Sequence, residues 1–410
     1  MKQFVHQNKI MILSSFLIPL VFFVLFSLIK GLPFMIITSD GELYKNLAGN
    51  FLNGKGLINT VREENIIVPP LYPLIIAFII YFFKDITFVF LVQFLVLGST
   101  GIVIFLLAYR LFINKVIAIL SVVLFSIHPI LLNNGPSKLL TETIFTFFIV
   151  AIALLGTVIL HMVKNTEKKN LSILIVLFVI TFYLSIMMRP HLLFLIPIVI
   201  GYFIFLNFNK IIPIWVILFS ILVPILLFGA NYTYNKTTHG EGILFENYSG
   251  MNLYIANNPH TTVGFYSSSI IEKFVSDEYN QYKNTPLSEK SKILKAKAVE
   301  YILAEPGEFI KRLVQKIQLF FEGVNRFDTL LTLFSIGGYI TAFIILKNLR
   351  IHLLIIGLYI LYFAVLSSVG LLVSSQRYRL PIIPLYTIFG SYLIYTVTSS
   401  YGKWLKTKTR

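Results

Sequence analysis

Two carboxylates, Asp40 and Glu42, stand in the stretch 36-IITSDGELYKNLAGNFLNGKGL-57, directly behind the apolar run Ile10 to Ile29. A carboxylate on a loop held between apolar segments can take a proton from an incoming hydroxyl, as a general base does. On a helix begun here, Asp40 and Tyr44 share one face at i and i+4. A purely structural reading covers both acids as well. Ser39 followed three residues on by Glu42 has the form of a capping box, and acids in a first turn complement the helix dipole. The two readings coexist, and either Asp40 or Glu42 is then a candidate base.

A second acid-bearing stretch is 138-KLLTETIF-145, where Glu142 opens a long apolar run. A charge at mid-bilayer costs roughly 3 kcal/mol and marks function by default, whereas an acid at a helix start is also favoured by the dipole. Lys138, in the same stretch, is an interfacial anchor or an anion ligand. Arg189 in 187-MMRPH-191 and the pair Arg377 and Arg379, flanking Tyr378 in 374-SSQRYRLPIIP-384, lie between apolar runs. A guanidinium's planar fork suits phosphate oxygens, so these arginines are candidate headgroup ligands. The bland alternative is snorkelling to lipid phosphates. Tyr44 and Tyr378 are the substrate-proximal candidates.

Other chemistries find little footing. With no cysteine in the chain, disulfides, thiolate zinc sites and thiol nucleophiles are excluded. The histidines show no metal-ligand spacing. No cofactor is indicated, and a divalent metal, though compatible with phosphate chemistry, has no ligand cluster behind it. There is no glycine-rich phosphate loop, HExxH or GxSxG, which speaks against a soluble nucleotide donor.

The elements that must carry these residues are membrane helices. Hydrophobic residues make up 57% of the 410 and charged ones 13%, against about a quarter charged in soluble domains. The chain is therefore expected to be an all-α polytopic membrane protein, with spans at 10–30, 86–109, 115–133, 139–163, 170–188, 190–208, 211–230, 328–346, 351–373 and 378–397. The segment 69-PPLYPLIIAFIIYFF-83 reaches only about 22 Å as a helix and is expected to dip or lie at the surface. With ten crossings, both termini share a side holding fourteen cations, from Lys2 to Arg410, against one acid, Glu167. That side takes +13 of the net +16 and is expected to be cytoplasmic, so the basic balance needs no nucleic acid.

The candidate residues then fall on the extracytoplasmic side of a cell membrane. Three parts are expected: an N-terminal membrane module over 1–230 with an outer loop 31–85, an extracytoplasmic segment 231–327, and a C-terminal module with a basic tail over 328–410. The middle part should hold two amphipathic helices broken at Pro306-Gly307, lying on the membrane as a small layer.

In order and in side, these motifs resemble the GT-C glycosyltransferases that use polyprenyl-linked sugars, including protein mannosyltransferases of glycosyltransferase family 39 and aminoarabinose lipid A transferases. The stretches that carry the resemblance are 40-DGELYKNLAGNFLNGKGL-57, the PPLYPLIIA segment, 128-HPILLNNGPSKLLTETIF-145, 249-SGMNLYIANNP-259 and 376-QRYRLPIIP-384. The resemblance implies inverting transfer from a polyprenyl-phosphate sugar to a lipid, glycan or protein acceptor. Asp40 would be the base, Glu142 the second-loop acid, and Arg377 and Arg379 the phosphate ligands. Gly41 separates Asp40 from Glu42 where some members have adjacent acids, and Gln376 stands where an acid often precedes the arginine. Rival readings are a transporter or flippase of lipid-linked saccharides, which would place charges in mid-bilayer helices, and a polymerase of lipid-linked repeat units.

Overall fold

The structure is a computed structural model that describes residues 7–166, 169–261, 263, 281–282, 284–370 and 376–408, without the side chains of 376 and 402–408. Lys2, Glu167, Lys168 and Arg410 of the charge count, the side chains of the basic tail, and part of the segment 231–327 lie outside the described residues. Among the described residues there is no strand, and nine helices are long and apolar enough to cross a membrane. The chain is an all-helical, multi-pass membrane protein.

Helix α1 (Lys9–Lys30) leads through a short extended stretch to α2 (Ser39–Leu52) and the 13-residue α3 (Leu71–Phe83). At 1.5 Å per residue α3 extends about 20 Å, less than the ~30 Å of a hydrocarbon core. Then come α4 (Thr87–Phe112), α5 (Lys115–Ser126) and α6 (Pro129–Asn134). A single span was expected at 115–133. The structure breaks it at Ile127 and His128, because Pro129 has no N–H to continue the ladder and drives the residue before it into extended backbone. His128 accordingly sits at ψ 127° and caps α6, its Nδ1 accepting the Ile130 N–H.

Helices α7 (Glu142–Lys164), α8 (Leu171–Met188), α9 (Ile196–Phe208, entered through a 3-10 turn from Pro190) and α10 (Ile214–His239) follow. Helix α10 runs past the expected end at 230, and its last turns are tied to a returning loop by Asn235 donating to Ile243 O at 2.8 Å. The short α11 (Ser249–Ala256) precedes α12 (Leu287–Ala304) and α13 (Pro306–Phe321), which meet at Glu305 as the Pro-Gly pair implies. Helices α14 (Arg326–Ile345), α15 (Arg350–Gly370) and α16 (Ile383–Lys408) complete the bundle.

One hydrophobic core extends from Phe23 to Tyr392, so described helices of both expected membrane modules pack against each other. Helix α14 lies so close along α16 that a Cβ at Gly338 would run into the Phe389 carbonyl. On the flanks, large apolar side chains such as Leu222, Leu333 and Leu358 are exposed, as they must be where lipid tails are the solvent.

Candidate active site

The chain just before α2 is fastened to the loop before α7. Ile36 N–H donates to Ser137 O at 2.7 Å, and Leu139 N–H returns to Ile36 O at 3.0 Å. Buried Gln93 of α4 holds the same loop, donating to Pro136 O at 2.9 Å and Lys138 O at 3.0 Å while accepting from Tyr72. These bonds bring Asp40 beside Glu142.

Helix α2 is capped by Thr38, whose hydroxyl accepts the Gly41 N–H at 3.1 Å. The capping box expected from Ser39 and Glu42 does not form, because the helix begins with Ser39 itself and the cap falls one residue earlier. Glu42 then points outward, half-exposed, 3.9 Å from Lys45 and away from the cavity. Gly41 has a steric reason to be glycine: a Cβ there would stand 2.9 Å from Leu139 O.

Asp40 lies between two guanidinium groups. Its Oδ2 accepts from Arg377 Nη2 at 2.9 Å, and its Oδ1 is 3.6 Å from Arg62. Arg377 also turns Nε toward Glu142 Oε1 at 3.5 Å, and Arg189 reaches that same oxygen at 2.8 Å while donating to Thr141 Oγ1 at 2.6 Å. Arginine and carboxylate therefore alternate from Arg62 through Asp40, Arg377 and Glu142 to Arg189. Glu142 is wholly buried behind the arginines and does not line the cavity, so the expected catalytic acid is placed as a clamp on two guanidinium groups.

Asp40, Tyr44, Arg62, Arg189, Arg377 and Tyr378 share a cavity of about 570 Å³. Tyr44 stands on the Asp40 face as its spacing implies and packs edge-on to Tyr72 at 5.0 Å. Burial raises its phenol above the ordinary value, so Tyr44 remains a proton donor. On the far wall, burial pushes the Glu246 carboxyl up, opposed by a hydrogen bond with Tyr248 and by Arg189. Lys138 is not among the cavity-lining residues; it donates to Asn134 Oδ1 at 3.2 Å, with burial and then Arg377 pushing its ammonium down.

The expected arginine pair is split. Arg379 faces away from the cavity and is buried, bonded to Asp328 and to the carbonyls of Phe320 and Glu322. A group so engaged is not available to a phosphate in the cavity, which corrects the expectation that Arg377 and Arg379 act on one anion. Arg62 and Glu246 joined the cavity without any sequence signal, since both sit on irregular polar loops. The wall they help to form is fixed by Lys290 of α12, buried and 2.7 Å from Glu64. Among the described residues, no group of three or more His, Asp or Glu is placed to hold a metal ion.

A second cavity, about 400 Å³ and lined by apolar and aromatic side chains, runs between α7, α8, α9 and α15. Rim residues Ile198 and Leu358 are 67% and 54% exposed, so it opens sideways on the apolar flank. It adjoins the polar cavity where Tyr362, on its wall, donates to the carbonyl of His191, on the wall of the other. Compared with known proteins, the chain matches no family model and no curated protein.

Proposed function

We propose that the protein transfers a sugar, with inversion, from a polyprenyl phosphate to an acceptor hydroxyl at the extracytoplasmic face of the cell membrane. The observation that carries this reading is the contact of Asp40 with Arg377 on a polar cavity adjoining an apolar groove that opens toward lipid. A substrate with a charged headgroup and a long isoprenoid tail matches both halves. The GT-C resemblance and the charge asymmetry between the two sides of the bundle support the fold family and the orientation.

In this reading Arg377 and Arg189 take the donor phosphate, their forks matching its oxygens. Arg377 divides its N–H groups between Asp40 and Glu142, so an incoming phosphate oxygen competes for it and frees Asp40. Asp40 accepts the acceptor's hydroxyl proton as that oxygen attacks the anomeric carbon. The anomeric C–O bond to phosphate breaks, and the electron pair leaves on the polyprenyl phosphate, stabilised by the guanidinium charge. Glu142 holds both arginines in place, and Tyr44 and Tyr378 border the sugar.

The test is to incubate the purified protein with a panel of polyprenyl-phosphate sugars and candidate acceptors and to measure release of the bare carrier. Release with a matched donor is expected. Saccharide movement across vesicles without any carrier release would favour a flippase instead.

A further inference from the structure

A buried polar chain lies behind the cavity, outside the proposed chemistry. Its members are Arg379, Asp328, His128 and Tyr386, from four different parts of the fold. Arg379 bonds through Nη2 to Asp328 Oδ2 and through Nη1 to Glu322 O at 3.0 Å and Phe320 O at 3.2 Å. Asp328 Oδ1 lies 3.1 Å from His128 Nε2, and the Tyr386 hydroxyl is 3.0 Å from the same nitrogen. Because His128 Nδ1 accepts the Ile130 N–H, the imidazole proton sits on Nε2, the nitrogen that faces both the Asp328 carboxylate and the Tyr386 hydroxyl. Arg379, Asp328 and His128 are at most 1% exposed.

From this geometry we infer that Asp328 and His128 are positioning residues for Arg377, acting through Arg379 to fix the roll of the 3-10 helix Gln376–Ile382. Such a helix has about three residues per turn, so side chains two positions apart point roughly 120° from one another. With Arg379 locked inward on the start of α14 and the end of α13, Arg377 has one direction left, toward Asp40 and Glu142. A roll of the short helix would carry Arg377 off both carboxylates. Four elements hold the lock: Asp328 opens α14, His128 caps α6, Tyr386 lies in the first turn of α16, and the accepting carbonyls end α13. Arginine is required at 379 because only its fork reaches a carboxylate and two carbonyls together. The consequence for catalysis rests on the reading of Arg377 as a phosphate ligand; the positional claim does not.

The test measures Arg377 directly. The full-length protein is treated with an arginine-selective dicarbonyl reagent, phenylglyoxal, and labelling at Arg377 and Arg189 is followed by peptide mass spectrometry, normalised to the exposed Arg350. Since breaking one side of a buried ion pair is strongly destabilising while an apolar pair of similar volume is tolerated, the variant is Asp328→Leu with Arg379→Met. Arg377 is expected to label several-fold faster, with Arg189, held by Glu142 and Thr141, unchanged. An unchanged Arg377 overturns the inference, and so does a parallel rise at Arg189, which would mean general loosening. If the double variant does not accumulate, His128→Gln, which leaves the ion pair intact, must give the same ordering with a smaller rise; no rise there overturns it too. Sugar transfer is not read, so failure here leaves the proposed function standing.

Discussion

Arg377 brings Nη2 to 2.9 Å from Oδ2 of Asp40 across 337 positions of sequence, and its Nε faces Glu142 at 3.5 Å. One guanidinium thus joins the first turn of α2, the start of α7 and the last 3-10 turn. The consequences differ residue by residue.

Arg377→Ala should weaken donor binding by about ten- to a hundredfold, the range for losing a charge-assisted hydrogen bond. Arg377→Lys should recover only part, since an ammonium cannot serve two oxygens in one plane. Isothermal titration with a water-soluble short-chain polyprenyl-phosphate sugar measures it. Equal affinity in all three proteins would put the phosphate elsewhere.

Glu142→Gln should cost about 3 kcal/mol of stability, because Arg189 and Arg377 lose a shared buried partner. Transfer should fall without a change in the shape of its pH profile, as suits a residue that holds arginines and exchanges no proton. A profile that loses one limb in the Gln variant would restore Glu142 as a proton-transfer group.

Gly41→Ala tests the close approach of α2 to Leu139. The added methyl meets a backbone oxygen at 2.9 Å, so the helix must shift. Overpacking of this kind costs about 1–3 kcal/mol. The displacement should lower transfer more than it lowers the melting temperature, because Asp40 is the next residue. Wild-type transfer in the alanine variant would show that α2 has slack.

Lys316 offers a pH test of the layer formed by α11 to α13. It is buried, donates to Ala256 O at 2.6 Å, and burial, then Arg312, pushes its ammonium down to about 8 from 10.5. Between those values the unfolded chain binds the proton that the folded chain has released, so stability should rise as pH goes from about 8 toward 10.5. The melting temperature of the purified protein should follow that trend, and Lys316→Met should flatten it. An identical slope in the methionine variant would assign it to other groups.

The gathering of the candidate residues was legible, though not their roles, because ionisable residues at the ends of apolar runs have few other reasons to be there. Asp40, Tyr44, Arg189, Arg377 and Tyr378 all line one cavity. The sequence could not separate Arg377 from Arg379, since the register of a seven-residue 3-10 helix decides which one faces the cavity. Nor did it place the cap: Thr38, Ser39 and Asp40 are all good N-cap types, and the pairing of Ile36 with Lys138 determines where the helix begins. The broken span at 115–133 had its signal in Pro129, outweighed in a reading by hydropathy alone. Arg62, Glu246 and Gln93 act through tertiary contacts that no periodicity announces.

Single-turnover transfer by Asp40→Asn, with donor binding measured on the same preparation, probes the pairing of carboxylate and guanidinium most directly. The expected result is a loss of about 10²–10⁴ in rate, the usual contribution of a general base, with donor affinity kept or increased because Arg377 is relieved of its partner. Transfer at the wild-type rate by the asparagine variant would contradict it.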